Sequence, residues 1–346
     1  CTQGKGFYYI WCELDLSEES IYAGYLIRTR YSKNLCPEYM KAFMESQLYW
    51  AQLRNGTIAT AQPNCNGKTL AKMILPLPPM VEQKRIVAKI EELLPYIDRY
   101  EQAWNRLEAL NKRFPEDMKK SLLQYAIEGK LVEQRPEEGT AEELYLHIQE
   151  EKRRLVKEGK IKKERPLPEI AEDEKPFEIP GSWKWVKLNS VISLLSGSDL
   201  TPDKYNVYGK GVPYITGASN IENDNVTINR WTEFPKNIAH FEDLLLTCKG
   251  TVGKTCILKE KEVHIARQIM AITSVIVDTI FIKFFIESQI DYLKAKAKSM
   301  IPGIERNDIL KLIMPLPPLA EQKRIVAKLE ELLPLCEKLK EQNKVL

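Results

Sequence analysis

The sequence has few of the residues on which metalloproteins and many enzymes depend. It contains three histidines, and its seven cysteines form no C-x-x-C pair; they are Cys1, Cys12, Cys36, Cys65, Cys248, Cys256 and Cys336. Zinc sites need closely spaced ligands, and small disulfide-stapled folds need many cysteines in a short chain. We therefore expect no metal site, and reduced thiols of the kind found in the cytoplasm.

Long hydrophobic runs are also absent. The most apolar stretch, MAITSVIVDTIFIKFFIES, is interrupted by Asp278 and Lys283, whereas a membrane helix needs about 20 apolar residues. This stretch fits a buried strand followed by a helix. No signal peptide is visible, although the chain begins with Cys1 rather than methionine. We expect a cytoplasmic protein with no membrane partner.

Neither sign of charge dominates, with 51 basic and 48 acidic residues and a net charge of +3. A nucleic-acid-binding domain often carries a clear excess of basic residues. Any DNA contact made by this chain must therefore come from local patches, or be shared with a partner subunit.

No motif of the sequence forms a complete catalytic site. CKGTVGKT (248–255) resembles the end of a phosphate-binding loop, but the required first glycine is Cys248. A glycine-bearing turn between two strands explains it better. PEIAEDEK (168–175) resembles the acidic motif of a nuclease but lies in a linker, and there is no G-x-S-x-G or H-E-x-x-H. No Asn/Asp-Pro-Pro-aromatic motif of an amino-methyltransferase is present either. We predict a protein that is not an enzyme.

The most informative feature that is present is an internal repeat. PLPPMVEQKRIVAKIEELLP (76–95) returns as PLPPLAEQKRIVAKLEELLP (315–334), 239 positions later, with 17 of 20 positions identical. Apolar residues then recur mostly at spacings of 4 and 3, which is the seam of a coiled coil. The seam residues are Ile86, Ile90, Leu93, Ile97, Tyr100, Trp104 and Leu107, and then Ile325, Leu329, Leu332, Cys336 and Leu339.

Two such seams predict a pair of antiparallel helices that acts as a rigid spacer. A helix of about 30 residues spans about 45 Å. An ordinary surface helix on its own core is the alternative for each block. Pro95 and Pro334 fall inside the patterns and predict a kink or a short restart of each helix.

The other segments alternate short helices with a β-rich region. FPEDMKKSLLQYAIEGKLV predicts a separate helix with Pro115 in its first turn, and Thr140 with Glu143 predicts a capping box for the next helix. Residues 160–180 read as an extended linker. The first 75 residues resemble only the end of the β-rich region.

We predict an α+β fold in which mixed α/β domains alternate with long helices. The predicted parts are a partial domain (1–75), a helical region (76–131), a helix and linker (132–176), a complete domain (177–314) and a second helical region (315–346).

The repeated blocks, the domain opening IPGSWKWVKL, and the segments LLLTCKGTVGKTCIL, HIARQIMAI and ATAQPN together resemble a specificity subunit of a type I restriction-modification system. The resemblance covers essentially the whole chain. It implies two target-recognition domains that each read half of a split DNA sequence, and an antiparallel coiled coil that sets their separation. The first domain departs from the family pattern because it lacks a counterpart of IPGSWKWVKL.

The resemblance also implies the partners. These are double-stranded DNA, two copies of a DNA methyltransferase subunit, and a restriction/translocase subunit. This chain would hold no cofactor, because S-adenosylmethionine and ATP would be bound only by partner subunits.

By the same resemblance, TAQPN (60–64) and GTVGK (250–254) lie around the recognition face. Polar side chains in turns are also those that contact phosphates and base edges. The candidate DNA-binding residues are Thr60, Gln62, Asn64, Lys68, Ser198, Thr216, Asn220, Lys249, Thr251, Lys254, Arg267 and Gln268.

Two other functions stay open at this point. One is the specificity subunit of a related bipartite (type IIB-like) enzyme, in which modification and cleavage are fused in the partner. The other is a coiled-coil scaffold without a DNA role. The identity of the neighbouring subunit separates the type I subunit from the type IIB-like one. DNA binding whose affinity depends on salt and on sequence excludes the scaffold.

Overall fold

The structure, a computed structural model, describes residues 27, 32–56, 67–161, 167–222, 224–296 and 303–342. The chain divides into two compact units, Cys1–Ala109 and Leu110–Leu346. Within the described residues, no helix combines the length and the apolar character that a membrane span requires.

The first unit is helical in its described part. Its helices are α1 (Pro37–Glu45), α2 (Gln47–Gly56), α3 (Gly67–Leu70) and the beginning of α4 (Met80–Ile127). Pro37 suits the start of α1 because the first turn of a helix does not use its N–H groups. Phe43, Tyr49 and Leu53 form a small buried cluster between α1 and α2.

Helix α4 is longer than the sequence pattern indicated. It runs without a break from Met80 to Ile127, through both Pro95 and Pro115. The predicted restart at Pro95 and the predicted separate helix at Pro115 are therefore wrong. A proline removes one helical hydrogen bond, and the neighbouring turns are rich in Glu, Leu, Arg and Lys, which favour a helix. The same applies to Pro334 inside the last helix.

The second unit contains the remaining helices and all twelve strands of the described residues. The helices are α5 (Ala141–Lys157), α6 (Thr279–Lys296), α7 (Arg306–Leu310) and α8 (Leu319–Gln342). The strands are β1 (Lys184–Lys187), β2 (Ile192–Ser196), β3 (Val212–Ile215), β4 (Ile221–Glu222), β5 (Asn225–Val226), β6 (Trp231–Thr232), β7 (Ile238–His240), β8 (Leu244–Thr247), β9 (Thr255–Ile257), β10 (Glu262–Ile265), β11 (Ile269–Ser274) and β12 (Ile313–Leu316).

Two four-stranded sheets form the centre of this unit. One has the order β2-β11-β8-β9 and is antiparallel throughout, and the other has the order β6-β3-β10-β7 with β3 parallel to β10. Smaller pairs join β1 to β12 and β4 to β5. The mixed α+β fold with long helices is thus confirmed, and so is the strand-then-helix reading of MAITSVIVDTIFIKFFIES, which forms β11 and α6.

Strand β8 shows why the sheets pack as they do. All four of its residues are buried. Since successive side chains of a strand point to opposite faces of the sheet, both faces must be covered here. Leu244 and Leu246 join the core beneath α6, with Phe281 and Phe285. Leu245 faces the opposite core, which Ile215 and Val263 of the second sheet complete. Both faces are therefore covered.

The glutamine of each repeated block makes the same pair of hydrogen bonds to the backbone of its own unit. In the first unit, Gln83 is fully buried; its Oε1 accepts from the Cys36 N–H at 2.8 Å, and its Nε2 donates to the Pro78 carbonyl at 2.8 Å. In the second unit, Gln322 Oε1 accepts from the Asp278 N–H at 2.9 Å, and its Nε2 donates to the Pro317 carbonyl at 2.9 Å. Each block thus fastens the start of its long helix to the chain just before α1 or α6.

The second block has further contacts that anchor α8. Glu321 is buried and accepts hydrogen bonds from Trp183 Nε1 at 2.9 Å and Gln134 Nε2 at 2.5 Å. Arg324 donates to both carboxylate oxygens of Glu138, at 2.8 and 2.7 Å. Burial raises the pKa of Glu321, whereas the hydrogen bond from Arg324 lowers the pKa of Glu138. The first turn of α8 is therefore fixed to the segment that follows α4.

Candidate nucleic-acid interface

Four loops of the second unit meet at one end of the strands. Backbone hydrogen bonds join them: Ser198 N–H to the Ile265 carbonyl at 3.0 Å, Ala266 N–H to the Ile215 carbonyl at 2.9 Å, and Cys248 N–H to the Gln268 carbonyl at 2.8 Å. We call these loops, residues 197–200, 216–220, 248–254 and 266–268, the loop cluster. It contains eight of the candidate DNA-binding residues, although they are spread over 71 positions of the sequence, from 198 to 268.

Asn220 organises one of these loops. It is buried, and its Oδ1 accepts from the N–H groups of Thr216 at 3.0 Å and Gly217 at 3.3 Å, as well as from the Thr216 hydroxyl. Its Nδ2 donates to the Thr227 carbonyl at 2.8 Å. The carboxamide of Asn220 is therefore engaged in shaping the loop that carries Thr216.

His264 holds two further segments in place. Its Nδ1 accepts from the backbone N–H groups of Lys236 at 3.3 Å and Asn237 at 3.2 Å, so its Nε2 carries the proton and donates to the Ser198 carbonyl at 3.0 Å. The ring is fully buried, and burial lowers its pKa. Asn237 continues the contact, because the Ser198 hydroxyl donates to its Oδ1 at 3.2 Å.

The GTVGK segment is a closed turn between β8 and β9. Thr247 closes it, because its carbonyl accepts from Gly253 N–H and its hydroxyl accepts from Lys254 N–H, both at 2.9 Å. Gly253 has φ 93°, and a side chain there would meet Ile290 at 2.7 Å. A strand rather than a helix follows Lys254, so the structure lacks the helix N-terminus of a phosphate-binding loop.

The charged candidates differ in how freely they face solvent. Lys249 and Thr251 are exposed at the tip of this turn. Arg267 is also exposed, and its Nε lies 2.8 Å from Asp199 Oδ2. The Lys254 ammonium instead donates to the carbonyls of Ala218 at 3.0 Å and Ile221 at 2.8 Å, which fixes the turn to the neighbouring loop.

Gln268 lies beside Gly217 in the same cluster, and its buried Oε1 has no hydrogen-bond partner in the part of the chain that the structure describes. In the first unit, Lys68 is exposed on α3. Thr60, Gln62 and Asn64 lie outside the described residues. Sequence reasoning missed Asp199, Asn237 and His264, since an isolated Asp, Asn or His in this composition gives no pattern. The described residues contain no group of His, Cys, Asp and Glu side chains arranged to hold a metal ion.

The seam residues of the two repeats have different surroundings. Ile325 and Leu329 are fully buried in the core of the second unit, Cys336 is buried, Leu332 is half-buried and Leu339 is at the surface. In the first repeat, Ile86 and Ile90 are half-buried within the described part of the chain. The seam residues that follow are exposed: Leu93, Ile97, Tyr100, Trp104 and Leu107.

Within the second unit, α8 lies beside the last turns of α4, which follow the first seam. Lys340 near the end of α8 contacts Glu116 at 2.5 Å, whereas Arg324 near its start contacts Glu138 beyond the end of α4. The last turns of α4 and α8 therefore run in opposite directions. Lys119 and Lys120 also tie this part of α4 to Glu287 and Asp291 of α6.

The comparison with known families agrees with this combination of repeated helices and a loop-bearing domain. The family model "Type I restriction modification DNA specificity domain" matches residues 23–109 and 180–346. The chain belongs to this family. The matched residues contain both repeated blocks and the loop cluster.

Curated relatives include two specificity subunits of type I restriction enzymes from Escherichia coli. The EcoAI subunit is 27% identical over 326 residues, covering 77% of this chain and 54% of that protein. The EcoEI subunit is 32% identical over 250 residues, covering 65% of this chain and 40% of that protein. The chain thus spans about half the length of the curated relatives it matches.

A solved structure supports the fold. It comes from work described as "Structural basis underlying complex assembly and conformational transition of the type I R-M system". The TM-score is 0.51 at 22% identity, and the likeness covers 89% of this chain and 66% of the other.

Proposed function

We propose that this chain recognises a specific DNA sequence and does no catalysis itself, as the specificity subunit of a type I restriction-modification complex. The observation that supports this most is the loop cluster. Eight polar or basic candidates from separate loops meet at one end of the sheets, on a domain that belongs to the specificity family. Side chains of these types contact phosphates and base edges.

The finer proposal concerns the assembly. Two recognition domains would read a bipartite target, and the long helices would dock two copies of a methyltransferase subunit. A restriction/translocase subunit would be the further partner. S-adenosylmethionine and ATP would be bound by these partners and not by this chain. The apolar residues exposed along α4 support a docking role.

A selection from a random duplex library tests the recognition. The purified chain is incubated with the library at several salt concentrations, and the bound duplexes are sequenced. We expect a defined motif. Lys249→Ala should weaken binding to all sequences, because a lysine at the exposed turn that contacts phosphate contributes affinity without reading bases.

Lys311→Ala is the matched control, since Lys311 is also exposed but lies outside the loop cluster. Its binding should equal that of the unchanged protein. Enrichment of no motif under any salt condition would favour the scaffold reading and contradict the proposal.

A further inference from the structure

A surface turn of the second unit is built to hold two apolar side chains in solvent. Residues 206–211 leave and rejoin the sheet beside β6. Asn206 and Trp231 exchange backbone hydrogen bonds at 2.8 and 2.9 Å. The Asn206 side chain spans the turn, because its Oδ1 accepts from the N–H groups of Tyr208 at 3.2 Å and Lys210 at 3.1 Å, and its Nδ2 donates to the Lys210 carbonyl at 2.7 Å.

The far end of the turn is fixed as firmly. Gly211 has φ 97°, and a Cβ there would lie 2.2 Å from the Thr232 carbonyl oxygen, so only glycine fits this approach. Thr232 is fully buried; its hydroxyl donates to the Lys204 carbonyl at 2.6 Å and accepts from Phe234 N–H at 2.9 Å. The two segments on either side of the turn are therefore tied together.

This turn presents Val207 and Tyr208, which are 72% and 78% exposed. Ordering a loop costs conformational entropy. Because Val207 and Tyr208 stay exposed, no burial of their side chains offsets that cost in the free chain. Tyr208 is the most exposed of the large hydrophobic residues that the structure describes. A tyrosine held on a rigid turn suits an interaction surface, because its ring offers a large contact area at a low cost in conformational entropy.

The charges around the turn indicate the kind of partner. Lys204 is half-buried and Lys236 is exposed in the two segments beside the turn. The Arg230 guanidinium stacks 5.0 Å from the Tyr205 ring centre, and the Lys210–Glu233 pair is exposed to solvent. The neighbouring acids in these two segments are Asp203 and Glu233, so cations are in excess. This surface suits a polyanion.

The turn also lies near the loop cluster. Gly211 and Thr216 lie just before and just after β3, five residue steps apart, which corresponds to about 16 Å at about 3.3 Å per residue. The major groove of B-form DNA is about 12 Å wide. One duplex lying along β3 can therefore contact both ends of this strand.

We propose that the Val207–Tyr208 turn is a second DNA contact of this domain, in which the Tyr208 ring packs against bases in a groove beside the one that the loop cluster reads. Aromatic and apolar side chains stack on bases or insert between base steps in this way. The flanking cations Lys204 and Arg230 contact phosphates. The inference rests on the proposed DNA recognition, and it adds a base-contacting element that the polar candidates do not include.

Tyr208→Ala tests it by fluorescence anisotropy, with the duplex enriched by the unchanged protein and an unrelated duplex of equal length. We expect the ratio of specific to nonspecific affinity to fall about tenfold, the size of one lost base contact. The dependence of affinity on salt should stay unchanged, because no charge is removed. Tyr208→Phe keeps the ring and should keep the ratio.

Tyr292→Ala on α6 is the matched control, since Tyr292 is 55% exposed and lies about 160° around the helix from Ile290 and Lys294, the residues that face Gly253 of the loop cluster. Its affinity ratio should equal that of the unchanged protein. If the unchanged protein enriches a motif but Tyr208→Ala leaves the ratio intact, this inference fails alone. If no motif is enriched, the proposed function itself fails.

Discussion

His264 illustrates how one buried residue supports the candidate interface. Its Nδ1 accepts two backbone hydrogen bonds while its Nε2–H donates a third, so the neutral ring fits its surroundings completely. A second proton would have to sit on Nδ1 and face two N–H donors. The lowered pKa of His264 has burial as its largest cause, and this geometry opposes protonation in the same direction.

The pH dependence of stability follows from this shift. Because the pKa of His264 is lower in the folded chain than the ordinary value of about 6.5, the unfolded chain binds more protons between the two values. The stabilisation is complete above the ordinary value and is lost as pH falls through the folded pKa. We expect the urea midpoint to decline from pH 7.5 to 5.5, and His264→Asn to flatten that decline.

His147→Gln is the control, because His147 is exposed on α5. The urea midpoint of this variant should decline from pH 7.5 to 5.5 as that of the unchanged protein does. Equal pH dependence in His264→Asn and the unchanged protein would show that His264 does not cause the effect.

The individual side chains also show what the sequence could predict of the site. Residue type and position in turns identified Lys249, Thr251 and Arg267, which are exposed in the loop cluster. The same criteria could not separate them from Asn220, which bonds within its own loop and to the Thr227 carbonyl, or from Lys254, which bonds to a neighbouring loop. Whether such a side chain is engaged or faces solvent depends on backbone carbonyls up to 36 positions away in the sequence. Only the folded sheet brings these carbonyls close to it.

At the scale of elements, the contact between Arg324 and Glu138 fixes the first turn of α8. The guanidinium donates twice to the carboxylate, across 186 positions of sequence, and the two side chains are only 22% and 11% exposed. Paired hydrogen bonds in such a partly buried site are stronger than those of a solvent-exposed ion pair.

A double-mutant cycle measures this contact. Arg324→Ala and Glu138→Ala should each lower the free energy of unfolding by about 1–3 kcal/mol, the usual range for hydrogen bonds to charged groups. The double variant should lose less than the sum, with a coupling of about 1–2 kcal/mol. Urea titration gives all four values.

The exposed pair Lys328–Glu331, three residues apart on α8, is the comparison. Its coupling should stay below about 0.5 kcal/mol, as expected for a solvent-exposed pair on a helix. Strict additivity of Arg324→Ala and Glu138→Ala would contradict an anchoring role.

The repeat predicted the two long helices, but it did not predict where they end or that they continue through their prolines. Helical periodicity locates a buried face but says little about whether a proline breaks a helix that is stabilised on both sides, as at Pro95 and Pro115. The common role of Gln83 and Gln322 was equally invisible, because their partners Cys36 and Asp278 are different residues that offer the same backbone N–H.

At the scale of the whole molecule, the exposed part of the first seam bears on assembly. Tyr100 and Trp104 stack with their ring centres 6.2 Å apart and are 66% and 55% exposed. Leu93, Ile97 and Leu107 extend the same apolar surface along α4. Contiguous apolar surface of this kind marks an interaction site, and we expect the methyltransferase subunit of the same system to bind it.

Replacing both Tyr100 and Trp104 by Gln tests this docking. Glutamine favours a helix, and both positions are exposed, so the urea midpoint should change little. Binding of the methyltransferase subunit, measured by isothermal titration calorimetry, should weaken at least about tenfold because buried aromatic anchors dominate interfaces. Arg106→Gln lies on the same helix about 120° from Tyr100 at about 100° per residue, and it should bind as the unchanged protein does. Equal affinity of the double variant and the unchanged protein would exclude docking through the first helix.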